Sequence, residues 1–133
     1  MEKVSQLVAR VFLGHIFLLA GLSKISAYEG TQGYMEAMGV PGALLPLVIL
    51  LEVIGGLVII AGWKTKWASL ALAAFSVVAA AIFHHNFADQ MQMILFMKNV
   101  AISGGLLLLA SHGAGAYSLD NRSSAPNASL SHS

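Results

Sequence analysis

No cysteine occurs anywhere in the 133 residues. That excludes disulfides, thiolate metal sites, iron-sulfur ligation and persulfide chemistry on the chain itself. Charge is scarce as well: Asp, Glu, Lys and Arg make up 10% of the chain, against roughly 25% in an average soluble domain. The seven basic residues are scattered, the net charge is +1 and the isoelectric point is about 8.1, so there is no basic patch with which to hold nucleic acid. What abounds is apolar: 57% of residues are hydrophobic and the mean hydropathy is +0.76. A soluble domain of this length buries only about two-thirds of its surface, too little to hide so much apolar material. The solvent that fits is a lipid bilayer.

A hydrocarbon core about 30 Å thick takes about 20 helical residues per crossing. Four such segments can be cut from the sequence, over residues 7–25, 44–62, 67–83 and 91–110. They predict an all-α, integral membrane four-helix bundle occupying residues 1–112. Lys3 and Arg10 bracket the start of the first segment without a small-residue cleavage pattern close behind, which reads as a retained span. The stretch "SAYEGTQGYMEAMGVPG" reads as a loop with an interfacial turn near Tyr34 and Met38. The connections "WKTKW" and "HHNFADQ" are short and predict antiparallel neighbours. Residues 113–133 are polar and small, and read as a mobile cytoplasmic tail. Lys3, Arg10, Lys64, Lys66 and Arg122 fall on one side of the four spans, so the positive-inside rule puts both termini in the cytoplasm. Trp63 and Trp67 mark the same interface.

A charge at the centre of a membrane helix costs about 2.5 to 3.5 kcal/mol on insertion scales, so each one calls for a reason. Glu52 lies inside "VILLEVIGGLVIIAG" and Lys98 inside "FMKNVAISGGLLLLA". Counted from the outer ends of their spans, they sit about 12 Å and about 10 Å deep. The repeated pattern "GGLVIIAG" and "GGLLLLAS", offset by 49 residues, also brings Lys98 to within a turn of Glu52's height. An ion pair between the second and fourth spans is therefore expected. On the first span Arg10, Gly14, Phe17, Gly21 and Lys24 share one face. That stripe faces the bundle, with the long stems of Arg10 and Lys24 able to reach the two boundaries. His15 points away from it and suits a helix-packing hydrogen bond. His84 and His85 follow the third span at the outer interface. Adjacent histidines diverge on a helix and cannot chelate one ion as an i, i+4 pair can, so no metal site is expected.

The stretches "ARVFLGHIFLLAGLSKI", "YMEAMGVPG", "LEVIGGLVIIAGWKTK", "FHHNFAD", "FMKNVAISGGLLLLA" and "GAGAYSLD", in this order, resemble the DoxX family of small bacterial inner-membrane proteins, and in look its enterobacterial members. The resemblance covers about residues 5 to 121. It implies four transmembrane helices in the bacterial inner membrane and quinone-linked redox as the common functional thread. Some relatives look like subunits of a thiosulfate:quinone oxidoreductase. Others are associated with quinone or catechol resistance, or with oxidative-stress complexes containing superoxide dismutase and a sulfurtransferase. The missing cysteines depart from a sulfur-transfer role and leave quinone binding open. The chain has no nicotinamide or flavin fingerprint, so such a cofactor belongs to a partner.

Two readings follow. In one the chain is a membrane subunit of a quinone-linked oxidoreductase, with Glu52 as proton acceptor, Lys98 as its charge partner, and Lys24, His84, His85 and Asn99 around a quinone head group. In the other it is a non-catalytic scaffold or small-molecule carrier in which Glu52 and Lys98 are a structural lock. The partners in either case are the lipid bilayer, redox proteins and a second copy of the chain.

Overall fold

The computed structural model describes residues 2–123. Six α-helices follow one another: α1 Glu2–Ser26, α2 Tyr28–Ala37, α3 Leu45–Ala61, α4 Thr65–Phe83, α5 Gln90–His112 and α6 Leu119–Ser123, with a 3-10 turn over Gly42–Leu44 ahead of α3. No strand occurs among the described residues. Four segments are long and apolar enough to cross a membrane: Glu2–Ser26, Gly42–Ala61, Thr65–Phe83 and Gln90–His112. The shortest has 19 residues, about 28 Å of helix. Rows of Leu, Ile, Val and other apolar side chains lie exposed along all four, a surface suited to the interior of a bilayer.

Packing joins the long helices in two close pairs. α1 packs most extensively on α3, and α5 on α4, while α3–α4 and α1–α5 contacts are sparser. Small residues make the first pair tight. A Cβ built on Gly14 would lie 2.7 Å from the Gly56 carbonyl oxygen, and one on Gly56 would lie 2.6 Å from that of Gly14. As residue numbers rise along α1 they fall along α3, from Arg10 beside Ile60 to Gly14 beside Gly56 and Gly21 beside Val53. The buried positions of α1 are Arg10, Gly14, Phe17 and Gly21, four of the five residues of the stripe expected from the sequence; the fifth, Lys24, is half-buried. Phe17, Ile59, Leu72, Ala73 and Leu106 form the core where the pairs meet. His15 is exposed and donates from Nδ1 to the Phe12 carbonyl at 2.6 Å.

Two segments depart from expectation. The stretch read as a loop contains α2. Gly30 and Gly33 suggest a turn to sequence reasoning, yet Met35 packs into the protein at 5% exposure and Gln32 Nε2 donates to the Gly42 carbonyl. Tertiary contacts of that kind outweigh the glycine penalty of about 1 kcal/mol each. Gly39, at φ +83°, then ends the helix.

The second departure is the expected tail. Residues 124–133 lie outside the described residues, but 113–120 fold back over the connection between α3 and α4. Asp120 accepts from the backbone N–H groups of Lys64 at 2.6 Å and Thr65 at 2.9 Å, capping α4, and its own N–H donates to the Gly62 carbonyl. The cap holds Lys64 at φ 47°, a left-handed conformation unusual for a side-chain-bearing residue. Arg10 completes the clasp. Its guanidinium donates to the carbonyls of Ile59, Ile60 and Tyr117, so it satisfies the orphan end of α3 where the helix dipole is negative. Arg10 is fully buried, not reaching for a headgroup. The stretch "GAGAYSLD" is held by these bonds through the Asp120 carboxylate and the Tyr117 carbonyl.

Candidate ligand site

Opposite the clasp the two helix pairs part. Between them lies a cavity of about 520 Å³, within the roughly 300–1,000 Å³ usual for small-molecule sites. Its wall is largely apolar, with Phe17, Val48, Phe75, Ile82 and Phe83 among the lining residues. α2 contributes Thr31, Tyr34 and Met35. Tyr34 stacks on Phe83 with ring centroids 5.4 Å apart, and its hydroxyl donates to the Phe83 carbonyl at 3.3 Å. α2 is thereby pinned to the end of α4.

The polar groups of the wall are few. Lys24 Nζ and Glu52 Oε1 form an ion pair at 2.8 Å. Glu52 is 4% exposed; Gly21, one turn before Lys24, makes room for it, since a Cβ there would lie 3.2 Å from Glu52 Cβ. Asn99 Nδ2 donates to the Ser76 carbonyl at 3.2 Å, tying α5 to α4. His84 closes the set from just past α4. Burial pushes its imidazole below the ordinary histidine range, against an opposing pull from a backbone hydrogen bond at Phe83. At neutral pH the ring is therefore neutral and can both donate and accept.

Of the candidates named from sequence, Glu52, Lys24, His84 and Asn99 line this one cavity, whereas Lys98 and His85 do not. The partner expected for Glu52 is corrected: it is Lys24 on α1, not Lys98. Counting residues along a span gives height but not direction. α5 packs on α4 rather than against α3, and Lys98 is turned outward, exposed. His85 is exposed too and donates from Nδ1 to the Ile82 carbonyl. Tyr34, Thr31 and Ser76 escaped the sequence reading. Reading residues 28–37 as an amphipathic helix would have found the first two; the backbone role of Ser76 has no sequence signal.

The ion pair sets up a stability test. Glu52→Gln and Lys24→Met are each expected to cost about 1–2 kcal/mol, below the range for fully buried pairs because Lys24 is partly solvated. The double variant should recover part of the loss. Unfolding in mixed micelles measures all three, and strictly additive losses would mean that the pair has no energetic reality.

The DoxX family model matches residues 5–85, which includes Lys24, Glu52, Tyr34 and His84. The chain belongs to the DoxX family. Its DoxX relatives include the inner membrane protein YqjF of Escherichia coli, 54% identical over 120 residues, which are 90% of this chain and 92% of that protein. A second is the inner membrane protein YphA of the same organism, 36% identical over 128 residues and 91% of both chains. CatD of Bacillus subtilis, provisionally named an oxidoreductase, is 33% identical over 64 residues, 48% of each chain. No solved structure matches significantly. With four apolar spans and such relatives, this DoxX chain is a multi-pass protein of the bacterial inner membrane.

Proposed function

We propose that the cavity between the helix pairs binds a quinone or a similar flat aromatic ligand, and that the chain is the membrane subunit of a quinone-linked redox or oxidative-stress system. The observation that carries this reading is the chemistry of the cavity wall: apolar and aromatic surface for a ring, with one buried ion pair, Lys24–Glu52, facing it. Reduction of a quinone to a quinol takes two electrons and two protons. Lys24 holds a carbonyl or phenolate oxygen; Glu52, as a carboxylate, takes one proton from that oxygen when a quinol is oxidised and, once protonated from solvent, returns one when a quinone is reduced, while the second proton is exchanged with water at the cavity mouth beside His84. His84 and the second Nδ2–H of Asn99 offer hydrogen bonds to the second oxygen, and the Tyr34 hydroxyl, whose proton goes to the Phe83 carbonyl, can accept one from it in the quinol form. The electrons come from a redox partner protein, since the chain carries no electron-carrying motif of its own. The name of CatD points in the same direction.

The same reading gives the orientation. Lys3, Lys66 and the clasp gather at one end, together with His112, and Trp63 and Trp67 lie exposed beside them. In an antiparallel bundle this end is cytoplasmic, both termini included, and the cavity opens toward the outer leaflet. The alternative of a scaffold or carrier draws on the same ion pair as a lock between α1 and α3.

Purified protein in nanodiscs, titrated with a short-tailed benzoquinone by equilibrium dialysis, separates the two. Saturable binding is expected, weakened about tenfold or more by Glu52→Gln or Lys24→Met, consistent with roughly 1.5–3 kcal/mol for hydrogen bonds to charged groups. No saturation at near-millimolar quinone would leave the lock.

A further inference from the structure

Lys98 is the charge that the bundle does not use. It lies eight residues into α5, about 12 Å along the helix from Gln90, well inside the apolar span. It is exposed, and among the described residues it has neither an ion pair nor a hydrogen bond. Around it α5 presents Ile94, Met97, Ala101, Gly104 and Leu108, all exposed, over an arc of about 120° at 100° per residue. A Cβ on Gly104 would meet nothing within 4 Å. An apolar helix face with a single ammonium and two small residues is thus turned to the bilayer, where such a charge is costly unless paired.

We propose that this face of α5 is the docking surface for a transmembrane helix of another protein carrying an aspartate or glutamate at the depth of Lys98. The charge decides the chemistry, since an intramembrane lysine is offset by a carboxylate. The chain's own acids decide against a second copy: of Glu2 and Glu52, the acids in its spans, Glu2 opens α1 at the membrane boundary and Glu52 is buried against Lys24. Ala101 and Gly104 let a neighbouring backbone come close, as small residues do between membrane helices. This surface is independent of what the cavity binds.

The test co-reconstitutes the full-length protein in liposomes with leucine-rich transmembrane peptides bearing one Glu, one Gln or no polar residue eight positions from one end, and follows association by energy transfer. The Glu peptide is expected to associate about tenfold more tightly than the other two, in keeping with polar pairing in membranes. Lys98→Met should erase that preference. Gly104→Leu, whose Cβ would enter open space, should weaken association with the Glu peptide; unchanged circular dichroism in both variants reports intact folding. Equal association of all three peptides would overturn the proposal and leave Lys98 reaching for headgroups. So would self-association of the chain that Lys98→Met abolishes, which would make a second copy the occupant. Full retention of Glu-peptide binding in Gly104→Leu would overturn the choice of face.

Discussion

Arg10→Ala is expected to lower the unfolding free energy by about 3–5 kcal/mol, the range for removing one member of a buried charged network. The side chain is wholly buried, and its loss takes the donor from the carbonyls of Ile59, Ile60 and Tyr117, of which the Ile59 carbonyl is bonded in a buried site. Asp120, which attracts the guanidinium electrostatically, would lose that attraction. Arg10→Lys should rescue little, because an ammonium cannot present the planar fork that reaches three carbonyls from two segments. Asp120→Ala removes a helix cap and should cost less, about 1–2 kcal/mol. Because the two residues share one network, the double variant should fall short of the sum. Unfolding in mixed micelles followed by circular dichroism measures the series. A loss under about 1 kcal/mol for Arg10→Ala, the net worth of one ordinary hydrogen bond, would show that the clasp contributes little.

The second large effect belongs to Gly56→Leu, expected at or above the upper end of the roughly 1–3 kcal/mol range for overpacking. A side chain there meets backbone, not a flexible neighbour: the Gly14 oxygen at 2.6 Å and the Leu18 nitrogen at 2.8 Å. α1 and α3 would have to separate, and the Lys24–Glu52 pair bridges that same seam. Gly104→Ala is the control, since its Cβ enters open space and the change should stabilise by about 0.5–1 kcal/mol through helix propensity. Equal effects at the two glycines, read by the same unfolding measurement, would refute the close-approach argument.

The four spans were legible in the sequence because hydrocarbon thickness imposes a length, and Trp, Lys and Gly mark the boundaries. The buried stripe of α1 was legible from its steps of three and four. Azimuth around the bundle was not. Glu52 and Lys98 share a depth, but whether their helices face each other depends on which helices pair, a property no single span encodes. Lys24 was visible on the inward stripe of α1, yet its pairing with Glu52 depends on the space left by Gly21. The clasp was hidden for another reason. "GAGAYSLD" has the composition of a flexible segment, and its partners, the backbone ends of α3 and α4, carry no side-chain signature.

The clasp also orders events during synthesis. The connection between α3 and α4 leaves the ribosome with Lys64 already in place, but Tyr117 and Asp120, which secure it, lie more than 50 residues further on. Until then Arg10 lacks part of its acceptor set and α4 lacks its cap. The connection between the helix pairs is therefore made well before the element that fixes it, and the clasp can close only once all four long helices have been synthesised.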